Sequence, residues 1–417
     1  MSYCFHKEDK VRELVTIDEA LDILLPLIIP AAGESLSLTE AQGRIACGDV
    51  QALMSIPPFA RSPYDGYAFA ARDVEGASAD HPVTLRVTRE IAAGSPAGDM
   101  IGPGEAVKLM TGAPVPPGAD TVVKFESTEY TLDSVTVFEP SSPGRDVIPA
   151  GEDVCAGDII VRSGEVIGPA VCGMLAAQGL ERVTVHGRPI VGILSTGSEL
   201  AGGKEQIGDG KIHDSNRYSL GAACRALGME VRFIGALSDS KEGIAEAIRQ
   251  GLAQCDALIT TGGVSVGDYD YTASAAESAG VETLVRNVNM KPGGTCAIGM
   301  KGDKPVFCLS GNPASSLIAF YVLAQPCLKK MGGQKAFHNT MIPVTLMKPI
   351  KKPSAKPRLI RGSLDLSLGT ARLLPHEGQG NGVLRSMKGC NLIGFIPEGS
   401  PPLPAGERIM AWLVDSL

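Results

Sequence analysis

The residues best suited to chemistry lie in Ala257-Leu-Ile-Thr-Thr-Gly-Gly-Val-Ser-Val-Gly-Asp-Tyr-Asp-Tyr271. An apolar, β-branched run reads as a buried strand, and Gly262-Gly263 then lets the backbone turn sharply and approach a ligand. Ser265, Asp268 and Asp270 follow before a helical-looking segment from Tyr271. A strand feeding a glycine-rich turn and a helix points free N–H groups at an anion such as phosphate. Carboxylates beside phosphate make sense when a hard cation such as Mg²⁺ sits between them. The plain alternative is a tight turn with solvated aspartates, because motifs this short recur by chance.

Other positions carry the same kinds of chemistry. The run from Pro189 ends in Ser195-Thr-Gly-Ser-Glu199, and the run from Glu230 ends at Asp239, so Glu199, Asp239 and Asp270 each follow a strand end. Singly each reads as solvated; at matching strand ends together they read as a cation site. The polar loop Gly208–Asn216 enters a helix expected over 218–227, and Asn216 joins the substrate-binding set. Asn289-Met-Lys-Pro-Gly-Gly294 brings Lys291 to the same edge. Leu309-Ser-Gly-Asn-Pro-Ala-Ser-Ser316 is a second glycine-containing strand-to-helix turn, where Gly311, Asn312 and Ser315 suit an oxyanion. Read plainly, Asn312-Pro313 is an ordinary turn before a helix over 315–328. Upstream, Asp65-Gly66 reads first as a hairpin turn, with a cleft-facing Asp65 as the alternative. Thr111-Gly112 at a strand end either grips an anion or shapes a turn. Asp153 lies in an irregular stretch, exposed or facing a site.

These residues need a scaffold. From Arg188 onward strand, loop and helix alternate, which argues for a doubly wound parallel sheet with ligands outside the carboxyl ends of its strands. Between Val83 and Val147 short β-rich runs alternate with Gly/Pro turns, as in a compact all-β domain. Further strands from Met341 onward form a small terminal β-domain. It holds Lys348, Lys351, Lys352, Lys356, Arg358 and Arg361, mostly a solvated face with one or two members facing a cleft. Thr16 caps an early helix, with Glu19 three residues on, and Pro169 opens another. The fold class is therefore multidomain α/β.

At 417 residues the chain is too long for one core, and 50 glycines and 29 prolines favour turns and short strands. A net charge of −8 provides no basic field for nucleic acid. The charged N-terminus is not expected to be a signal peptide, and no run is long enough to span a bilayer. Ten scattered cysteines without a C-x-x-C pair read as reduced cytosolic core residues rather than a zinc site.

Taken together, Ser62-Pro-Tyr-Asp-Gly-Tyr67, Met110-Thr-Gly-Ala-Pro-Val-Pro116, Ser195-Thr-Gly-Ser-Glu-Leu200, Gly262-Gly-Val-Ser-Val-Gly267, Lys291-Pro-Gly293 and Gly311-Asn-Pro313 resemble the MoeA/gephyrin E-domain family of molybdopterin molybdenumtransferases. The resemblance runs nearly end to end. It implies insertion of molybdate into adenylylated molybdopterin, with release of AMP and formation of molybdenum cofactor. It implies a cytoplasmic homodimer with sites where subunits meet, and molybdopterin adenylyltransferase as the upstream partner, without nucleic acid or membrane. It implies discontinuous domains: residues 6–32 plus 187–333 as a three-layer molybdopterin- and nucleotide-binding sheet domain, 33–53 plus 152–186 as a linker domain, 54–151 as a β-rich insert and 334–417 as a barrel-like domain. By motif match Asp65 and Thr111 belong to the loop side of the cleft. Glu199, Asp239 and Asp270 belong to the nucleotide and Mg²⁺ side, Gly262, Gly263 and Ser265 cradle phosphate, and Lys291 and Arg361 lie near oxyanions.

The chain departs from the family pattern at four positions. Gly294 and Asn287 stand where lysine is common, Ser310 where proline is usual, and Asn381 where serine is frequent. These bear on metalate affinity and leave a tungstate-preferring paralogue open. A non-catalytic pterin-binding scaffold is a rival from another class. A different Mg²⁺-dependent nucleotidyl or phosphoryl transferase is a second, although no Walker loop is present.

Overall fold

The computed structural model describes residues 11–201, 208–237, 240–263 and 271–414. Its largest element is a seven-stranded sheet in the order Arg12–Val15, Glu282–Val288, Ala297–Lys301, Lys304–Leu309, Ala257–Thr261, Ile190–Thr196 and Glu230–Leu237. Apolar residues run through the central strands without polar alternation because both faces are covered. Val191, Ile193 and Ile259 pack towards the helices Ile17–Leu24, Asn216–Ala226 and the helical segment from Pro313. Leu194, Leu258 and Val306 pack towards Lys241–Gln254 and Tyr271–Ser278 on the other face. Thr16 and Glu19 form the reciprocal cap their spacing predicts.

The all-parallel expectation needs one correction. Ala297–Lys301 is antiparallel to both neighbours, while the remaining pairings are parallel. Its sequence hides it, since Gly299 weakens a strand reading. Glycine is nevertheless required there, because a Cβ would overlap the carbonyl oxygen of Glu282 on the next strand. The helix expected over 315–328 runs instead from Pro313 to Met331, with one π-helical turn at Phe320–Ala324. Pro326 lacks the N–H an α-helix would donate there, and the widened turn accommodates it.

Three smaller units complete the chain. Gly33–Ser37 pairs with Arg182–His186, and Val50–Gln51 with Ile159–Val161, around Ala41, Val161, Ile167 and Leu175. Two crossings, Ile56 against Val154 and Arg61 against Ile148, lead to a six-stranded sheet that spans Gly66 to Val137. One face of that sheet packs Tyr67, Phe69 and Leu85, and the other Ala68, Val107 and Leu109. Five strands between Met341 and Leu413 close into a barrel, which removes exposed sheet edges. Among the described residues no helix is long and apolar enough to cross a membrane.

Burial pushes the thiols of Cys224, Cys296 and Cys327 up to about 12, whereas Cys155 is exposed. Only thiolate reacts quickly, so a brief maleimide pulse at about pH 7.5 is expected to label Cys155 and spare those three. Peptide mass spectrometry reads the result; comparable labelling of the three would show that their cores open.

Candidate active site

Parallel pairing brings the ends of two strands level, with Ser195 in register with Thr261. Beyond them the backbone turns at Gly262 and Gly263, whose φ values of 102° and 61° favour glycine. A methyl at Gly262 would overlap the Thr196 carbonyl oxygen, and one at Gly263 the Thr272 hydroxyl. Thr272 Oγ1 donates to the Gly262 carbonyl at 2.9 Å. Gly311 lies against this turn, since a Cβ on it would stand 3.3 Å from the Gly262 Cα. The two glycine turns expected from sequence are therefore one structure.

Asn216, buried at the start of its helix, ties them together. Its Nδ2 donates to Thr261 Oγ1 at 2.7 Å and to the Gly311 carbonyl at 2.8 Å. Thr261 Oγ1 passes its own proton to the Ser310 carbonyl at 3.1 Å. Asn216 Oδ1 and Ser195 Oγ, both buried, have no hydrogen-bond partner among the described residues. Sequence reasoning put Asn216 with the substrate contacts; its amide protons are in fact used within the protein.

Glu199 is exposed just past its strand, with its carboxylate over the preceding turn: a Cβ on Gly197 would come within 2.6 Å of Oε2. Asp239, Ser265 and Asp270 lie outside the described residues. Among the described residues no three His, Cys, Asp or Glu side chains are grouped to hold a metal. Glu199 is thus the single described member of the expected Mg²⁺ set.

A second group forms where the barrel meets the sheet. Lys291 N–H donates to the Pro357 carbonyl, and Leu359 N–H to the Lys291 carbonyl, each at 2.8 Å. The Lys291-Pro-Gly turn abuts the helix from Pro313, since a Cβ on Gly293 would stand 2.8 Å from the Ser315 carbonyl oxygen. The Ser315 N–H donates to the Asn381 carbonyl at 3.1 Å. Gly294 sits where a side chain would overlap the carbonyl oxygens of Val288 and Met290, so a lysine does not fit this loop. Asn287 takes a left-handed φ of 58°, which asparagine tolerates better than most residues. Ser310 Oγ accepts from the Asn312 N–H at 3.3 Å.

Arg361 is fully buried beneath the adjoining turn. Its Nη2 reaches the carbonyls of Gly380 at 3.2 Å and Gly378 at 3.5 Å, while Nε and Nη1 are buried without a partner among the described residues. Burial holds the guanidinium below its ordinary pKa. Gln379 grips the Arg361 backbone from both sides, accepting its N–H at 3.0 Å and donating to its carbonyl at 2.8 Å. His376 donates from Nδ1 to the Ser386 carbonyl at 2.7 Å, which leaves Nε2 to accept from Ser363 Oγ at 2.6 Å. Sequence reasoning missed His376, and nothing in its neighbourhood signals it; Gln379 stands in the Gln-Gly-Asn stretch that drew notice only for Asn381. Lys348, Lys351, Lys352 and Lys356 are exposed, as a solvated face requires. A buried cation facing only carbonyls is costly unless an anion completes it.

The third group lies on the six-stranded sheet. Asp65-Gly66 is not a hairpin turn, because Gly66 opens a strand paired on both sides. Asp65 Oδ1 accepts from both the Thr111 N–H at 2.7 Å and the Thr111 hydroxyl at 2.8 Å. Those bonds hold the Asp65 carboxyl below its ordinary pKa. They also use the donors that Thr111 was expected to offer an anion. Asp153 is exposed beside the crossing at Ile56. Among the described residues no hydrogen bond or ion pair joins Asp65 or Thr111 to the glycine turns or to Arg361.

Two family models match, one described as the MoeA N-terminal region (domain I and II) over residues 15–179 and one as a probable molybdopterin binding domain over 192–330. The molybdopterin molybdenumtransferase of Staphylococcus aureus (strain MRSA252) is 32% identical over 405 residues, which span 97% of each chain. This chain belongs to the MoeA family of molybdopterin molybdenumtransferases. The protein of the same name from Staphylococcus epidermidis (strain ATCC 12228 / FDA PCI 1200) is 31% identical over the same span. The crystal structure of the molybdopterin biosynthesis MoeA protein from Pyrococcus horikoshii OT3 superposes with a TM-score of 0.82 at 30% identity, covering 96% of this chain and all of that one (100%). The MoeA architecture thus carries the glycine turns, the buried arginine and the Asp65–Thr111 pair within one chain.

Proposed function

We propose that this MoeA-family chain inserts molybdate into adenylylated molybdopterin, releasing AMP and forming molybdenum cofactor. The observation that carries this reading is Arg361, a buried guanidinium with two donors unpartnered among the described residues, on the strand whose Leu359 N–H bonds the Lys291 carbonyl. An oxyanion suits such a buried cation as counter-ion, since guanidinium donors form strong charge-assisted bonds to oxyanions. Lys291 adds a second positive charge on the same side. The turns at Gly262, Gly263 and Gly311, with Asn312, Ser315 and Ser265, cradle the substrate phosphates. Asp65, kept ionised by Thr111, positions the attacking oxyanion or a water, and Asp153 lies on the same side of the cleft.

Glu199, Asp239 and Asp270 would hold Mg²⁺, which when bound neutralises charge developing on a cleaved phosphoanhydride. The active unit is a cytoplasmic homodimer with each site built where subunits meet. Molybdopterin adenylyltransferase supplies the substrate.

The decisive assay incubates the protein with adenylylated molybdopterin, Mg²⁺ and either molybdate or tungstate, following AMP and metal incorporation together. AMP release without incorporation of either metal would overturn the reading. The loop around Gly294, closed to a second lysine, makes the metalate comparison informative, since preferential tungstate incorporation would identify a tungstate-preferring enzyme. Asp270→Ala is expected to abolish AMP release, and undiminished release would remove the Mg²⁺ assignment.

Asp65→Asn is expected to lower kcat at least tenfold, the range in which a positioned acid–base group acts. The sign of the pH effect follows from the depressed folded pKa. Its interaction with Thr111 is present above the usual carboxylate range and is lost as pH falls through the lowered value. Between about pH 6 and 8 the ratio of wild-type to variant kcat should therefore stay flat, and a ratio that falls steeply there would contradict an ionised Asp65.

A further inference from the structure

We infer that Asn216 is a positioning residue, one whose amide protons hold the two glycine turns at a fixed spacing. The assignment rests on the proposed reaction only for its assay. Helix Asn216–Ala226, the strand ending at Thr261 and the turn at Gly311 come from separate stretches of chain. Backbone pairing between Ala257–Thr261 and Lys304–Leu309 sets their strands, and one further backbone bond, from the Gly262 N–H to the Leu309 carbonyl at 3.2 Å, reaches the first glycine but not Gly311. Past that point Asn216 supplies two bonds, to Thr261 Oγ1 at 2.7 Å and to the Gly311 carbonyl at 2.8 Å. Among the described residues no other donor reaches Thr261 Oγ1 or the Gly311 carbonyl, and the Thr261 hydroxyl itself donates to the Ser310 carbonyl. Asn216 is itself buried, so water cannot readily take over.

The geometry separates two roles on one side chain. Nδ2 faces protein acceptors, whereas Oδ1 has no partner among the described residues. Asn216→Asp keeps the shape and an acceptor oxygen but removes both donors. It also sets a carboxylate against the Gly311 carbonyl, a placement that raises the carboxyl pKa. A protonated carboxyl can donate once, so acid should partly restore the brace. A residue that acted only through a substrate contact at Oδ1 would leave Thr261→Val at full kcat.

The test measures kcat and KM for AMP release from adenylylated molybdopterin with wild type, Asn216→Asp and Thr261→Val, at about pH 8 and about pH 5.5. Expected at pH 8 is a kcat at least tenfold below wild type for both variants, with KM changed less than threefold. At pH 5.5 the Asn216→Asp deficit relative to wild type should shrink several-fold, and the Thr261→Val deficit should not. Thr261→Val keeps shape while removing the acceptor, and it serves should Asn216→Asp fail to fold. Asn216→Asp turning over like wild type at pH 8, or Thr261→Val with full kcat, overturns the brace. A wild type that releases no AMP would count against the proposed reaction, and amide exchange then decides the brace separately. Faster exchange at both Gly262 and Gly311 in the variants supports it, and unchanged exchange at both overturns it.

Discussion

Replacing Arg361 by methionine is expected to abolish metalate-dependent turnover while leaving the barrel as stable as before, or more so. Most substitutions of a fully buried side chain destabilise. Here, among the described residues, the buried group is a cation with no carboxylate partner, and two of its donors are unsatisfied. Exchanging a poorly compensated buried charge for an apolar side chain of similar volume is often neutral or stabilising, by about 1–4 kcal/mol. The two carbonyls that lose Nη2, those of Gly378 and Gly380, belong to exposed glycines, so water can replace the lost bonds. Arg361→Ala removes the charge but leaves a void and should cost about 2–4 kcal/mol. The order of melting temperatures, methionine at or above wild type and alanine below both, distinguishes a stored charge from a structural one.

The same pair of variants reports on the ligand. An oxyanion that binds only the folded state stabilises by RT ln(1 + [L]/Kd), about 1.4 kcal/mol at tenfold Kd. Molybdate should raise the melting temperature of the wild type and leave Arg361→Met unmoved. Equal protection of both would place the metalate elsewhere. Turnover retained by Arg361→Met would remove the oxyanion role of this residue altogether.

Gly262→Ala is expected to destabilise by about 3 kcal/mol or more and to reduce turnover over a hundredfold. Two costs coincide. The φ of 102° is unfavourable for any residue with a Cβ, and the added methyl would overlap the Thr196 carbonyl oxygen. That oxygen cannot easily retreat, because Thr196 is the last residue of a strand paired within the central sheet. Gly302→Ala provides the control: its φ of 63° is also left-handed, but nothing lies near its would-be Cβ. Only the backbone term applies there, about 1–2 kcal/mol, with no loss of turnover. Denaturant unfolding separates the two. If Gly262→Ala is no worse than Gly302→Ala, the close approach of turn and strand is not what glycine serves there.

Local patterns made much of this architecture readable. The apolar β-branched runs at 190–196 and 257–261, each followed by glycine, marked central strands, because a sheet covered on both faces demands continuous apolar sequence. Thr16 with Glu19 and Pro169 marked helix starts by backbone chemistry confined to one turn. The motif set at Asp65, Thr111, Glu199, Gly262, Lys291 and Gly311 pointed to the MoeA family, and the chain's relatives bear that out.

Where each proton goes was not readable. Thr111, Ser315 and Asn216 all looked like donors for a ligand, yet their donors go to Asp65, Asn381, Thr261 and Gly311, each at least 45 residues away along the chain. Ala297–Lys301 was hidden for a related reason: its glycine is a weakness locally and a necessity beside Glu282. Arg361 looked like one charge in a basic run, and only closure of the barrel sets it apart from its exposed lysine neighbours. Sequence by itself determined most of the elements, the order of the motifs and through them the family, because those depend on neighbours a few residues apart. Tertiary structure decided which polar atoms are satisfied and which remain for a ligand, because hydrogen bonding and burial depend on distances in space between segments that sequence leaves far apart.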